Sequence, residues 1–493
     1  MGLEVRPVQV EADIGRGNDV KFSLVGLATT TVKEARERVR SAIRNSGLEF
    51  PTTRLTVNLA PAEMRKEGTA LDLPIAVAIA LARAGKPPPP HSAFIGELAL
   101  DGSVRHVDGV LVAGRGLQHF GYERLFVPAV DAAEAALVDG VEVIPCASLA
   151  VLVNHLLGIE LIAPIARVDP VRGSAGAIEH DLDEVHGQEE AKRALEIAAA
   201  GGHHVLFSGP PGAGKTMLAR CLPGILPPLE LAEAMEVAQV RSLLGELPRD
   251  GPLDWTRPFR APHHGVSMAG LIGGGSGLAG PGEISRAHRG VLFLDELAEF
   301  QAPVLQALRQ PLESGKVSIT RSGGSVTYPA RFTLIAATNP CPCGWAGDGV
   351  RGCRCTPAAV DTYQRRLSGP LLDRIDLQVG VRRVPLESLG NEPRGEASEA
   401  VRARVVAARE RQLQRQGCLN AQLKPQSLRQ LARLATGSRR ALERWGAQRG
   451  LTARGFHRTW RVARTAADLD PSEEIEEHHV LEALGFRLQD VAA

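Results

Sequence analysis

Aromatic residues make up only 4% of this 493-residue chain, with 4 Trp, 3 Tyr and 12 Phe. That scarcity excludes an extended platform on which successive nucleic-acid bases could stack. No apolar run approaches the ~20 residues needed to cross a bilayer; "LPIAVAIALA", from Leu73, reads instead as a buried helix. The formal net charge is +1, so no whole-molecule field draws the chain to polyanions. Cysteines number seven, of which Cys146, Cys221 and Cys418 stand alone, and no charged-then-apolar leader opens the sequence. The expectation is a reducing, cytoplasmic setting without disulfides or a membrane partner.

The length accommodates about three domains. Residues 1–165 alternate short strand and helix signals of a mixed α+β domain. "TTVKEARERVRSAI" places Val32, Ala35, Val39, Ala42 and Ile43 on one helical face, "RLTVNLA" alternates Leu55, Val57 and Leu59, and Asp101-Gly102 marks a hairpin turn. Residues 166–182 lose periodicity and gather Pro, Gly and Ser, as a linker does. An α/β unit is expected over 183–385, and 386–493 reads almost wholly as helices. Between 401 and 465 stand sixteen Lys/Arg against two acids. That run is open to two readings, solvated helix faces or a nucleic-acid contact.

The most informative stretch is "HVLFSGPPGAGKTMLARCL". A buried strand from His204 to Ser208 enters Gly209, Pro210, Pro211, Gly212, Ala213, Gly214, Lys215 and Thr216, then a helix, which is a phosphate loop in its required context. Glycines let backbone N–H groups turn toward phosphate oxygens, and the helix N-terminus adds partial positive charge. Lys215 is expected to reach the β- and γ-phosphates of ATP, and Thr216 to ligate Mg²⁺. A second strand, "GVLFLDE", delivers Asp295 to hold Mg²⁺ and Glu296 to polarise an attacking water. A third, "FTLIAATNP", ends at Asn339, an amide suited to orienting water. Arg374, in "LSGPLLDRIDL", suits stabilisation of transition-state charge across a subunit boundary, or a local ion pair with Asp373 or Asp376.

These motifs, in this order, resemble the AAA+ ATPases. "PFRAPHHGVSMAGLIGGG", "PGEISRAHRGVLFLDELAEF" and "LSGPLLDRIDL" resemble the magnesium-chelatase-like branch, and specifically the ComM (YifB) family. The resemblance extends to "NLAPAEMRKEGTALDLPIAVAIA" near the N-terminus and "LTARGFHRTWRVARTAADL" near the C-terminus. It implies an N-terminal ribosomal S5/Lon-protease-like domain, an AAA+ P-loop core and a helical C-terminal lid, assembled as a homo-hexameric ring. It also implies ATP-driven DNA branch migration in homologous recombination and natural transformation, with DNA and recombinase–DNA intermediates as partners. By the same comparison Asn339 is sensor 1, Arg374 the arginine finger and Arg454 sensor 2, with Arg458 a competitor for that last role. A Lon-type peptidase needs a serine where this chain has Leu71-Asp72-Leu73, with Thr69 the nearest hydroxyl, so the N-terminal domain is expected to be non-catalytic. The alternative function is remodelling of a protein, as by a magnesium-chelatase motor subunit; the chain has no integrin-like metal-adhesion domain.

In ring ATPases of this branch, a hairpin such as "LESGKVSITRSGGSVTYPARF" lines the pore. Lys316 and Arg321 are its expected phosphate contacts, weighed against a structural hairpin with solvated charges. His263 and His264 read as a hydrogen-bonded pair or, with only two ligands in view, as part of a metal site. Finally, "CPCGWAGDGVRGCRC" holds Cys341, Cys343, Cys353 and Cys355 as two CxC pairs. Four thiolates so spaced suit one structural Zn²⁺, with free thiols and an iron–sulfur cluster as the other readings.

Overall fold

The computed structural model describes residues 2–16, 21–26, 30–64, 66, 68–167, 179–248, 253–275, 279–321, 324–367, 369–384, 395–448 and 450–487. Most of the expected linker, the expected boundary at 385/386 and the hairpin turn at 322–323 lie outside the described residues.

Period-two and period-3.6 patterning build the N-terminal unit as the sequence predicts. Leu55, Val57 and Leu59 are buried on the strand Leu55–Ala60, which pairs antiparallel with Gln9–Ile14 and parallel with Phe22–Val25. Val32, Ala35, Val39, Ala42 and Ile43 form the buried face of the helix Thr30–Asn45. Helix Asp72–Ala84 places Leu73, Ile75, Ala76, Val77, Ile79 and Leu81 in the same core. A second, parallel sheet orders Ser92–Phe94, Arg124–Pro128 and Glu142–Cys146. The expected hairpin pairs Glu97–Leu98 with Val104–Arg105, and the Asp101 carboxylate accepts the Ser103 N–H between them.

Downstream lies a five-stranded parallel sheet: β1 (Val205–Ser208), β2 (Phe259–Arg260), β3 (Val291–Leu294), β4 (Thr333–Thr338) and β5 (Leu377–Gly380), in the order β2-β3-β4-β1-β5. Alternation along each strand serves two cores. Val205, Phe207, Phe293 and Ile335 face the helices Glu189–Gly201 and Lys215–Ile225, whereas Leu206, Leu292, Leu294 and Leu334 face Ile284, Leu305 and Leu371. Each such side chain contributes roughly 1.5–3 kcal/mol. A one-residue slip would exchange the faces, so the register is firmly specified. Because β4 and β5 flank β1 on opposite sides, the crevice at the carboxyl end of β1 is where such sheets bind ligands.

The described C-terminal residues form the helices Ser398–Gln416, Pro425–Leu431, Thr436–Gln448, Ala453–Leu469 and Glu477–Gly485, as expected. The first of these lies directly on Glu189–Gly201 and on the phosphate-loop helix. The N-terminal unit docks on the core helix Leu231–Ser242: the Gly109 N–H donates to Ser242 O, the Ser242 hydroxyl donates to Glu134, and Leu111 and Val138 pack on Ala238.

Candidate active site

Strand β1 is buried and short, and the chain leaves it through a glycine-rich loop. Gly212 and Gly214 sit at φ 76° and 89°, where a side chain is strained. A Cβ on Gly209 would lie 2.1 Å from the Val381 carbonyl just beyond β5. The loop then opens the helix Lys215–Ile225, whose first-turn N–H groups lack intrahelical acceptors.

Lys215 is the loop's central donor. Its Nζ donates to Gly209 O at 2.6 Å, Pro210 O at 3.0 Å and Asn339 Oδ1 at 3.1 Å, so strands β1 and β4 meet at one ammonium. Burial lowers its pKa, against the opposing pull of Asp295 and Glu296. Thr216 donates to Asp295 Oδ2 at 2.9 Å, which brings together a hydroxyl and a carboxylate of the kind Mg²⁺ prefers. The other Asp295 oxygen accepts the Glu296 N–H at 2.9 Å. Glu296 itself sits at φ 51°, a conformation that costs a non-glycine residue about 1–3 kcal/mol and that clusters at functional sites.

Arg374 is not brought to this site within the chain. It is buried, and its guanidinium pairs with Glu313 rather than with Asp373 or Asp376, the partners expected for a local ion pair. Asp376 is held instead by Arg458, at 2.6 Å, and by the His203 and His204 region; Arg458 also donates to Arg374 O at 2.8 Å. Arg458 is thus a strut between the C-terminal helices and the core. Arg454 is exposed in the first turn of Ala453–Leu469.

The four clustered cysteines do converge. Cys341, Cys343 and Cys353 have Sγ atoms 3.4–3.6 Å apart, and with Cys355 all four lie within 4.8 Å of one another. A zinc tetrahedron with Zn–S near 2.3 Å has sulfur–sulfur edges of about 3.8 Å, so the residues fit the metal. The N–H groups of Arg354 and Trp345 draw the Cys343 thiol down to about 6, while burial and the neighbouring cysteines push Cys353 and Cys355 up, so without a metal the quartet favours a single thiolate. The loop leans on the phosphate loop: a Cβ on Gly344, at φ 83°, would lie 2.6 Å from the Pro211 ring. The guanidiniums of Arg351 and Arg383 lie over the Trp345 ring, at 4.8 and 4.7 Å from its centroid, which ties the loop to the segment after β5. A second cluster, Asp470 with His478 and His479, is better explained without a metal. His479 Nδ1 accepts the Glu476 N–H, which leaves the ring proton on Nε2, facing Asp470.

The expected hairpin forms, with Lys316–Arg321 antiparallel to Gly324–Pro329. Lys316 is exposed, with no side-chain hydrogen bond or ion pair among the described residues, and Arg321 donates to Gly275 O at 2.9 Å. In the N-terminal unit Asp72 is buried against Arg38 at 2.7 and 2.9 Å. Thr69 donates to Glu97 and Lys66 to Pro61 O, so this hydroxyl and this amine each have other partners.

The sequence singles out His264 but not the residue it meets. His264 Nδ1 lies 3.5 Å from Glu296 Oε2. The β2–β3 register pairs Phe259 with Val291 and Arg260 with Leu292; carried on by four residues, it sets His264 level with Glu296. The signal was hidden because β2 is two residues long and shows no alternation. Among the described residues the His263–His264 pair belongs to no cluster of metal-ligating groups.

Comparison with known proteins agrees with this architecture. Residues 181–389 match the profile described as magnesium chelatase, subunit ChlI, residues 395–487 its C-terminal profile, and residues 10–131 a profile described as subunit ChlI of Mg-chelatase. The chain is 43% identical to the protein YifB of Escherichia coli and 45% identical to the competence protein ComM of Haemophilus influenzae, each over 99% of this chain and 96% of the relative. The magnesium-chelatase 38 kDa subunit of Rhodobacter capsulatus is 29% identical over 36% of this chain and 55% of its own.

Proposed function

Because the chain belongs to the YifB/ComM family of magnesium-chelatase-like AAA+ proteins, we propose that it is an ATP-driven ring motor on DNA. Its work is branch migration in homologous recombination, including integration of incoming DNA during natural transformation. The observation that carries this reading is the convergence at the end of β1: Lys215 joined to Asn339 and Thr216 to Asp295, in one core with a hairpin that presents Lys316 and Arg321.

In this reading residues 183–385 are the AAA+ core, 386–493 the lid, 166–182 the linker and 1–165 a non-catalytic domain for DNA or assembly. The loop Gly209–Thr216 holds the triphosphate. Bound Mg²⁺ would neutralise β- and γ-phosphate charge, with Thr216 and Asp295 as its protein ligands. Lys215 exchanges carbonyl partners for phosphate oxygens, a charge-assisted contact of greater strength. Glu296 draws a proton from the attacking water, and Asn339 orients that water. Arg374 leaves Glu313 to meet the neighbouring subunit's γ-phosphate in a homo-hexamer, and Arg454 serves the sensor-2 role. The cysteine quartet holds a structural Zn²⁺ whose closed coordination leaves no place for substrate. It braces the loop between Asn339 and Arg374. Metal analysis should find about one zinc per chain; a trace only, with four freely titrating thiols, contradicts it. The motor acts in the cytoplasm.

A protein-remodelling role is the second reading, favoured by the chelatase-type profile over residues 10–131. The full-length likeness to ComM, against partial likeness to a chelatase subunit, favours DNA. The test is strand exchange on a synthetic three-stranded junction. ATP-dependent conversion that Glu296→Gln abolishes supports the motor; no conversion with ATP and Mg²⁺ overturns it.

A further inference from the structure

The seven cysteines divide by what can reach them. Cys146 and Cys221 are buried, and burial pushes both thiols up to about 12, which leaves them inert. Cys418 is half-buried against the lid core, and burial raises its thiol as well. The quartet is graded instead. Cys341 is buried, Cys343 and Cys355 are half-buried, and Cys353 is exposed. Cysteines that ligate zinc do so as thiolates, the nucleophilic form, so within the quartet exposure decides which sulfur a solute meets first. That sulfur is Cys353.

A resolving partner stands beside it. Cys353 Sγ lies 3.6 Å from both Cys341 Sγ and Cys343 Sγ, and an exposed cysteine next to a second thiol is the arrangement of a redox-sensing site. Cys341 is out of reach of solvent, and its Sγ accepts the Ala346 N–H at 3.3 Å. Cys343 is the freer of the two. The residue after Cys343 supports the nucleotide loop: a Cβ on Gly344 would lie 2.6 Å from the Pro211 ring and 3.8 Å from the Asn339 amide carbon. A disulfide needs its sulfurs in covalent contact, so Cys343 and Cys353 must close on each other. Two of the four donors are then consumed, and a closed zinc site does not survive on the other two.

We propose that Cys353 is a site of reversible oxidation by hydroperoxides, with Cys343 as its resolving partner, and that the bond between them draws Gly344 from Pro211 and weakens ATP binding. The Cys353 thiolate attacks one peroxide oxygen; an S–O bond forms, the O–O bond breaks, and hydroxide leaves with a sulfenic acid on Cys353. The Cys343 thiolate then attacks that sulfur, forming the S–S bond and expelling a second hydroxide. The two sulfurs together lose two electrons and the peroxide gains them; a small dithiol reverses the change. Loss of metal rests on the reading of the quartet as a Zn²⁺ site, and loss of affinity on that of Gly209–Thr216 as the triphosphate loop.

The test treats the full chain, purified reduced and freed of reductant, with a small excess of hydrogen peroxide. Released zinc is followed with a chromogenic chelator, the Kd for ATP by calorimetry, and the cysteines by mass spectrometry of tryptic peptides. Trypsin cuts after Arg331, Arg351 and Arg354, so Cys353 falls on a tripeptide of its own, Cys341 and Cys343 share a second peptide, and Cys355 lies on a third. The tripeptide should be found joined to the second peptide, with fragmentation placing the link at Cys343. Zinc should appear in step with the link, the Kd for ATP should rise about three- to tenfold, and dithiothreitol with zinc should restore both. Oxidation that begins at Cys418, or a quartet that stays reduced and loaded, overturns the proposal; a link that forms with the Kd unchanged overturns its hold on the phosphate loop. If the purified chain carries no zinc or binds no ATP, those readings fail, and the peptide link still decides the roles of Cys353 and Cys343.

Discussion

The C-terminal helices and the inserted hairpin use cations in opposite ways. Between residues 401 and 465 sixteen Lys/Arg face two acids, yet many of those arginines are struts. Arg402 and Arg409 donate to the core carbonyls Gly224 O and Ala199 O; Arg404 pairs with Glu196 and Glu396; Arg415 and Arg464 converge on Asp468; Arg458 holds Asp376. The hairpin carries far fewer cations, but among the described residues Lys316 is exposed without such a partner and Arg321 is held by a neutral carbonyl. Charge density along a sequence therefore says little about charge offered to a ligand. What matters is whether each guanidinium is the long arm of a packed helix or the end of a projecting strand.

The largest effect should come from breaking the buried side of this contrast. Asp468 is almost fully buried between Arg415 and Arg464, so Asp468→Ala leaves two guanidiniums without their shared carboxylate and should cost about 3–5 kcal/mol in a urea titration. Acid should act next. His204 Nδ1 accepts the Leu334 N–H at 3.1 Å, and burial, partly opposed by Asp376, lowers its pKa to about 4. Since the unfolded chain binds that proton near pH 6.5, the stability due to neutral His204 is complete above that pH. It is lost as pH falls toward 4, by about 1–3 kcal/mol. Unfolding midpoints between pH 7 and 5 check the sign.

The smallest effects separate the two sets of surface cations. Lys316→Ala with Arg321→Ala should weaken DNA binding about tenfold and lower the salt slope by roughly two. Stability should change by no more than about 0.5 kcal/mol. Arg439, in an exposed pair with Glu443, should tolerate Ala at a cost of about 0.3–0.5 kcal/mol, with DNA affinity unchanged. Equal losses of affinity in both sets would erase the contrast.

The same contrast marks what could be read in advance. Strands β1, β3 and β4, the phosphate loop, the cysteine quartet and the hairpin were legible because each is local: a run of apolar residues, a glycine pattern, a pair of spacings. The partners that Arg374 and Arg458 hold within the chain were not, since Glu313 and Asp376 are brought to them by tertiary packing across 61 and 82 residues. Nor was the consumption of lid arginines by carbonyls, which have no sequence signature. The neighbour of His264 was not legible either, because the register of a two-residue strand sets Glu296 beside it.

In the proposed motor, the carboxyl edge of the sheet turns over ATP in response to DNA held at the hairpin. That coupling is tested most directly by ATP hydrolysis at moderate salt, with and without branched or single-stranded DNA, for wild type and Glu296→Gln. Wild type should show DNA-stimulated turnover, and Glu296→Gln should lose turnover while retaining ATP binding. DNA that neither binds nor stimulates wild type would contradict it.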